Sequence, residues 1–532
     1  MVWDYIIIGS GFGGSVSALR LAEKGYRVLV LEKGRRLEAK DFPKTNWSFK
    51  KWMWAPLLGF RGLFRMTFFR HVTILSGVGV GGGSLVYANT LPRPKKGFFE
   101  KGEWSELADW QSELEPHYQT AQKMLGAARN PMETESDRLL KSVAEDMGKG
   151  DKYQRTDVAV FFGKPGVEVP DPYFDGKGPP RSGCTHCGGC MLGCRFNAKN
   201  TLDKNYLYLA EGLGVEVKAE SEVIRVYPLE SGVYEVTYKE GLSRFSRKQH
   251  SVRGKSVIFS GGVLGTVGLL LRLRETTLPN LSKRIGDFVR TNSEVLMGVV
   301  TKKRDVDYSK GVAITSIVHT DENSHVEPVR YPKGSGAFRL LIAPHVPGRN
   351  GVTRVLGTML YVLRHPIQTI RTYFVPDLAR FSVILLYMRA MDGHLRLRLS
   401  RKIWWPFKKV VSTQLSDGPA PTASIPEATD IARRVAGKMD GVPVSLVTET
   451  ALGIPTTAHI LGGCAMGGSK ETGAINSNHE LFGYKNLYVI DGSAVSANPG
   501  VNPSLTITAL AERAMSKIPV KAEVQEHRIV EP

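Results

Sequence analysis

No apolar run in this chain approaches the roughly twenty residues needed to cross a bilayer, and the longest, such as Val383 to Met388, stop far short. Tandem repeats, low-complexity blocks and any helix-turn-helix, zinc-finger or RNA-binding signature are also missing, which excludes solenoid and fibrous classes and leaves nucleic acid without a recognition element. Ile6-Ile7-Ile8 is too short for the apolar core of a secretory signal and leads straight into glycine-rich sequence, so the expected compartment is the cytoplasm. Cysteine is scarce, with five in 532 residues, and four of them crowd between positions 184 and 194, which argues against a disulfide framework. Acidic residues are also few: 51 against 71 basic ones leaves a net charge of +20 and an attraction to polyanions. Basic residues interleaved with large apolar ones favour an anionic membrane surface, with no nucleic acid as partner.

The length exceeds one hydrophobic core, so two domains are expected. Tyr5-Ile6-Ile7-Ile8 reads as a buried parallel strand that runs into Gly9-Ser10-Gly11-Phe12-Gly13-Gly14, after which Ser15 to Lys24 has helical apolar spacing. In this strand, turn and helix, Gly9 permits the turn, Gly11 admits a pyrophosphate, and Gly14 allows close helix packing while the helix amides face the negative charge. A second strand, Arg27 to Leu31, ends at Glu32, about twenty residues on, where a carboxylate can accept from ribose hydroxyls and repel the extra phosphate of NADP. The cofactor is FAD or NAD.

Near the C-terminus His459-Ile460-Leu461-Gly462-Gly463-Cys464 is followed by Asn486 to Ser493, with Asp491-Gly492-Ser493 at its end, and then by Gly500-Val501-Asn502-Pro503. With Gly77 to Val86 and Val257 to Leu270, these segments resemble the glucose-methanol-choline oxidoreductase family, most closely its cholesterol oxidase branch. The resemblance implies FAD, and an α/β fold with a discontinuous Rossmann-like FAD-binding domain from residues 1–45, 185–300 and 450–520. A second, α+β substrate-binding domain on an antiparallel sheet is expected from 46–184 and 301–449. The cofactor-binding residues it implies are Gly9, Gly11, Phe12, Gly14, Glu32, Gly77, Gly82, Gly83, Ser84, Val223, Gly261, Asp491, Gly492 and Asn502.

The reaction implied is removal of hydride from the CH-OH carbon of a lipophilic alcohol, sterol-like or long-chain, with oxygen as acceptor. An alternative is a dehydrogenase for an alcohol or polyol that passes electrons to a quinone, a cytochrome or an iron-sulfur centre. One group must hold or take the hydroxyl proton as hydride leaves, and histidine suits this because its pKa lies near neutrality. His459 is the candidate, with Asn502 as its partner at the reaction centre, while Pro503 opens a helix that aims amides at the flavin. The cholesterol oxidase branch uses a substrate-domain glutamate as base and isomerase. Leu341 to Pro347 looks like its neighbouring sequence, yet no carboxylate of this chain aligns with it.

Cys184, Cys187, Cys190 and Cys194 have the C-x2-C-x2-C-x3-C spacing of bacterial ferredoxins, with Arg195 where a proline is usual. Three readings stand: an iron-sulfur cluster, unligated thiols in a glycine-rich loop, and zinc, which this compact run suits less well.

Trp47 to Arg70 strings Trp47, Phe49, Trp52, Trp54, Leu57, Leu58, Phe60 and Phe64 among Lys50, Lys51, Arg61, Arg65 and Arg70, and Arg354 to Arg389 repeats that character, divided into short helices by Pro366 and Pro376. Such segments suit peripheral attachment at the headgroup boundary, against the alternative of buried amphipathic helices.

Overall fold

The computed structural model describes residues 1–522 apart from 244–245, 349–350, 392, 403–404 and 417–418. Val2–Ile8, rich in β-branched residues, is buried on both faces from Asp4 onward and forms the centre of a seven-stranded sheet, as a parallel strand covered on both sides must. It pairs in parallel with Val28–Leu31 and with the C-terminal half of Lys248–Phe259, in registers Ile8↔Leu31 and Ile8↔Phe259. Glu216–Lys218 extends the parallel part on one side and Leu487–Val489 joins Val257–Phe259 on the other, so segments from both ends of the chain meet in one sheet. Tyr234–Glu240 and Ser221–Pro228 add antiparallel strands.

Helix Phe12–Glu23 packs against the C-terminal helix Ser504–Ser516, where Arg20 meets Glu512 at 2.7 Å and the Tyr206 hydroxyl donates to Glu512 at 2.6 Å. The first and last described helices are thereby fixed to each other beside the glycine turn.

A second seven-stranded sheet is antiparallel throughout, in the order Ile342–Pro344, Gly441–Leu446, Val295–Thr301, Ser382–Arg389, Ser324–Val329, Ser316–His319 and Tyr153–Arg155. Successive side chains point to its two faces, both of them covered. Val295, Met297 and Val299 pack with Ile431 and Val435 of helix Pro426–Met439, while Leu296, Gly298 and Val300 line a cavity on the other face. Val383 to Met388, the apolar run of the second basic-aromatic segment, is a buried central strand of this sheet, so that part of the expected membrane segment is corrected.

The remainder of that segment divides as expected into helices Gly351–Arg364 and Pro366–Tyr373. In the first segment Trp52 and Phe64 are 3% and 5% exposed and stack on each other at 4.8 Å in a core with Leu37, Phe42 and Leu192. These two belong to a core and not to a membrane face.

Candidate active site

A single cavity of about 1480 Å³ runs between the two sheets. That exceeds the 300–1,000 Å³ of an ordinary ligand site, leaving room for a dinucleotide and a second molecule. One end is lined by Gly9, Gly11, Phe12, Glu32, Gly77, Gly82, Gly83, Val223, Gly261, Asp491 and Gly492, and Asn502 lines it nearer the second sheet. Gly14 and Ser84 stand behind this lining. A Cβ on Gly14 would overlap the Gly9 carbonyl, and the Ser84 hydroxyl donates to Gly81 O at 2.7 Å while accepting from Leu202 N.

The residues fit FAD. Gly9 has φ +102°, the left-handed region a tight turn needs. At Gly11 a Cβ would meet no protein atom closer than 4.0 Å, so the space before it is cavity, whereas at Gly13 a Cβ would overlap the Ile490 carbonyl. Helices Phe12–Glu23 and Ser504–Ser516 both start without a side-chain cap, leaving their first amides to other acceptors. Glu32 is buried and accepts from Ser10 N at 3.1 Å and Gly34 N at 2.8 Å. Beside it burial, and then neighbouring Arg65, holds Lys33 below the ordinary lysine range, a cost that an anionic cofactor would relieve. The Asp491 carboxylate accepts from Gly262 N, Thr266 Oγ1 and Ser493 N, which fixes the turn after Leu487–Val489.

At the junction of this cradle with the second sheet lies His459. Its Nδ1 is 2.5 Å from Glu294 Oε2, and Glu294 also accepts from Ala458 N, so the ring is held with Nε2 as the nitrogen left to a substrate. Burial penalises the imidazolium, but the fully buried Glu294 carboxylate outweighs that and the His459 pKa is raised. Asn502 is buried, lines the same cavity, and its Oδ1 has no hydrogen-bond partner. The loop carrying it is fixed by Asn292, which accepts from Gly500 N at 2.9 Å and donates to Val501 O at 3.0 Å from a left-handed backbone conformation.

Sequence reasoning did not find Asn292, Glu294 or Glu449. Glu449 is buried near Glu294, accepts from Thr456 N at 3.1 Å, and burial pushes its pKa up to about 8. The one available signal was Asn292-Ser293-Glu294 just before an apolar strand, polar residues where the sheet meets the cofactor.

Past His459 the wall is apolar, with Leu296, Val329, Phe338, Ile342, Ile384 and Val444. The ferredoxin-like reading of the cysteines finds no support in the structure. Among the described residues no group of three or more His, Cys, Asp or Glu side chains is placed to hold a metal. Cys184, Cys187, Cys190 and Cys194 surround a cavity of only about 20 Å³, about the room one water needs and far too small for an iron-sulfur cube. Burial raises the Cys184 and Cys190 thiols, Cys184 accepts from His186 N and Cys194 from Ala198 N, and Cys187 is exposed.

A GMC oxidoreductase family model matches residues 413–511, and a model of the NAD(P)-binding Rossmann-like domain matches 7–49. The chain belongs to the GMC oxidoreductase family: it is an FAD-dependent oxidoreductase acting on CH-OH donors. Within that family it is 46% identical to a cholesterol oxidase of Acinetobacter baumannii, over 98% of this chain and 96% of that one. A cholesterol oxidase of Mycobacterium tuberculosis is also 46% identical, over 98% and 92%. A 2-methyl-1,2-propanediol dehydrogenase of Mycolicibacterium austroafricanum is 24% identical over 96% of this chain. In fold the chain is similar to a pyridoxine 4-oxidase, with a TM-score of 0.60, 14% identity and coverage of 97% of this chain and 99% of that one.

Proposed function

We propose that this enzyme oxidises the hydroxyl-bearing carbon of a lipophilic alcohol, a sterol or a long-chain alcohol, with oxygen as the final acceptor. The observation that carries the proposal is the single cavity in which a dinucleotide cradle opens, past His459 and Asn502, onto an apolar chamber. The two cholesterol oxidases at 46% identity support both the substrate class and the acceptor.

Gly11, Glu32, Gly82, Gly83 and Asp491, with the amides of the two uncapped helices, would hold FAD, which would supply the hydride acceptor. The alcohol lies in the apolar chamber with its hydroxyl donating to His459 Nε2, and Asn502 lines the same cavity. As hydride leaves the carbon, Nε2 takes the hydroxyl proton, and the imidazolium so formed is stabilised by the Glu294 carboxylate on Nδ1. Leu296, Ile384 and Val444 exclude water and strengthen that pairing.

The same reading includes docking on an anionic lipid surface. No helix among the described residues is long and apolar enough to cross a membrane. Helix Gly351–Arg364 buries no residue and turns Val352, Leu356, Met359 and Leu363 outward at helical spacing, Leu363 being 78% exposed. Helix Pro366–Tyr373 continues with Ile367 and Ile370, then Phe374 at 77%. Leu57 and Leu58, at 76% and 71%, cap a hairpin whose base packs Trp52 against Phe338. Phe338 and Ile342 are cavity walls, so exposed apolar surface adjoins the chamber, flanked by Arg61, Arg364 and Arg371.

The test is a series of alcohols from ethanol to hexadecanol and cholesterol, with peroxide and ketone or aldehyde measured. kcat/KM should rise steeply with apolar surface. A preference for short or polyhydroxy alcohols refutes the substrate class, and turnover that needs a quinone in air refutes the acceptor.

A further inference from the structure

One group of buried titratable side chains has no part in this chemistry. In the antiparallel sheet Glu327 is directly opposite Leu386, which is directly opposite Leu296, and paired residues share a face. Leu296 and Leu386 line the cavity, so Glu327 stands in the cavity-facing row one strand further out. Its side chain is fully buried, and neither carboxyl oxygen has a hydrogen-bond partner. A carboxyl buried without partners is costly and calls for a reason.

Its surroundings suggest one. Through Leu386 and Leu296, its row faces the cavity that His459 lines, and the Glu327 charge adds to the raised His459 pKa. In the other direction, Glu327 Oε1 is 3.5 Å from Nε2 of buried His325, which likewise has no hydrogen-bond partner. His325 is paired in register with His319, their ring centroids 5.9 Å apart, and a His319 ring nitrogen is 3.1 Å from Nε2 of exposed Gln154 at the sheet edge. Titratable groups thus run from the cavity toward the sheet edge on two adjacent strands, Ser324–Val329 and Ser316–His319, with Gln154 on the next.

We propose that Glu327, His325 and His319 form a proton path between His459 and solvent. The inference rests on the alcohol-oxidation reading. In each turnover the carbon loses hydride to the flavin and the hydroxyl loses its proton to His459. When the acceptor takes electrons alone, that proton passes from His459 to Glu327, on to His325 and His319, and leaves to water, each group returning to its starting state. With oxygen as acceptor the overall reaction, alcohol plus oxygen to ketone plus hydrogen peroxide, releases no net proton. With a one-electron acceptor such as ferricenium, alcohol plus two ferricenium gives ketone, two ferrocene and two protons, which must leave the buried site. The path therefore matters for the second reaction and little for the first.

The experiment uses holoenzyme, with cholesterol as substrate, in wild type, E327Q and H325F, and H319N as a variant nearer the surface. The path predicts that kcat with ferricenium falls about tenfold or more in E327Q and H325F, and that added imidazole partly restores it. Oxygen turnover and the rate of anaerobic flavin bleaching should stay within about threefold, since the hydride step keeps His459. Independently of turnover, E327Q should move the side-chain NMR resonances of His325 in 15N-histidine-labelled protein and leave those of distant His479 in place. Equal losses with both acceptors, or in the bleaching step, would assign these residues to the hydride step or to the fold and overturn the path. So would unchanged ferricenium turnover, or unmoved His325 resonances. If wild type itself is not bleached by any alcohol, the underlying functional reading fails, an outcome distinct from a defect in the variants alone.

Discussion

Replacing Glu294 by glutamine removes the charge behind His459 while keeping the shape of the side chain. The wild-type contact is a 2.5 Å pairing between a fully buried carboxylate and a largely buried imidazole, so neither group has water to replace its partner. Hydrogen bonds to charged groups contribute about 1.5–3 kcal/mol, and in the transition state this one faces a full imidazolium. At 1.36 kcal/mol per factor of ten, a loss of about 2–3 kcal/mol lowers kcat/KM roughly thirty- to 150-fold. The pH profile has a definite sign. His459 must be unprotonated to accept the hydroxyl proton, and Glu294 holds its pKa up, so the ascending limb of kcat/KM moves to lower pH in E294Q. Steady-state kinetics across pH, with flavin content confirmed by absorbance, measures both. A variant with wild-type rates and an unshifted limb would refute the assignment of Glu294 as the group that orients and charges His459.

Gly11→Val should fold yet lose FAD, because its side chain enters cavity rather than protein, whereas Gly13→Ala should fail to fold against the Ile490 carbonyl; flavin absorbance and circular dichroism distinguish the two. Asn502→Leu should cut turnover about a hundredfold with FAD retained, which single-turnover bleaching measures. Glu449, with its pKa raised to about 8, is carried neutral in the fold while the unfolded chain ionises. Its burial therefore costs stability progressively from its ordinary pKa up to about pH 8, and the Tm of E449Q should exceed wild type increasingly over that window and be equal to it in acid. Leu57, Leu58, Leu356 and Leu363 changed together to serine should weaken flotation with anionic liposomes at low salt without altering activity on soluble alcohols; unchanged flotation ends the membrane reading.

The parts of this fold that can be read in sequence are those in which a local rule sets the structure. Strand Val2–Ile8, the turn at Gly9 and helix Phe12–Glu23 are contiguous, and a single phosphate-binding geometry dictates their glycines. His459 and Asn502 could be named as candidates because the segments carrying them have a family pattern, and the structure brings both to one cavity. Glu294 and Glu327 were not found. Each matters through register between strands distant in sequence, and nothing in a single line of residues indicates that Glu327 is opposite Leu386. Composition misled in two places. Trp52 and Phe64 have the look of a membrane-facing segment but stack inside a core, Trp52 at the end of helix Phe49–Trp52 and Phe64 at the start of strand Phe64–Phe68, both packed with Leu37, Phe42 and Leu192. The cysteine spacing matches a ferredoxin, but ligation needs thiols converging on a space larger than the small void they surround.

The most direct test of the account is to add cholesterol to the flavin-loaded enzyme without oxygen and follow flavin absorbance, first in wild type and then in His459→Ala. Wild type should bleach in a single exponential and recover its yellow colour with formation of hydrogen peroxide when oxygen is admitted, while the variant keeps its flavin and bleaches at least about a hundredfold more slowly. A wild-type enzyme that stays yellow with cholesterol and with hexadecanol, or a variant that bleaches as fast as wild type, would contradict it.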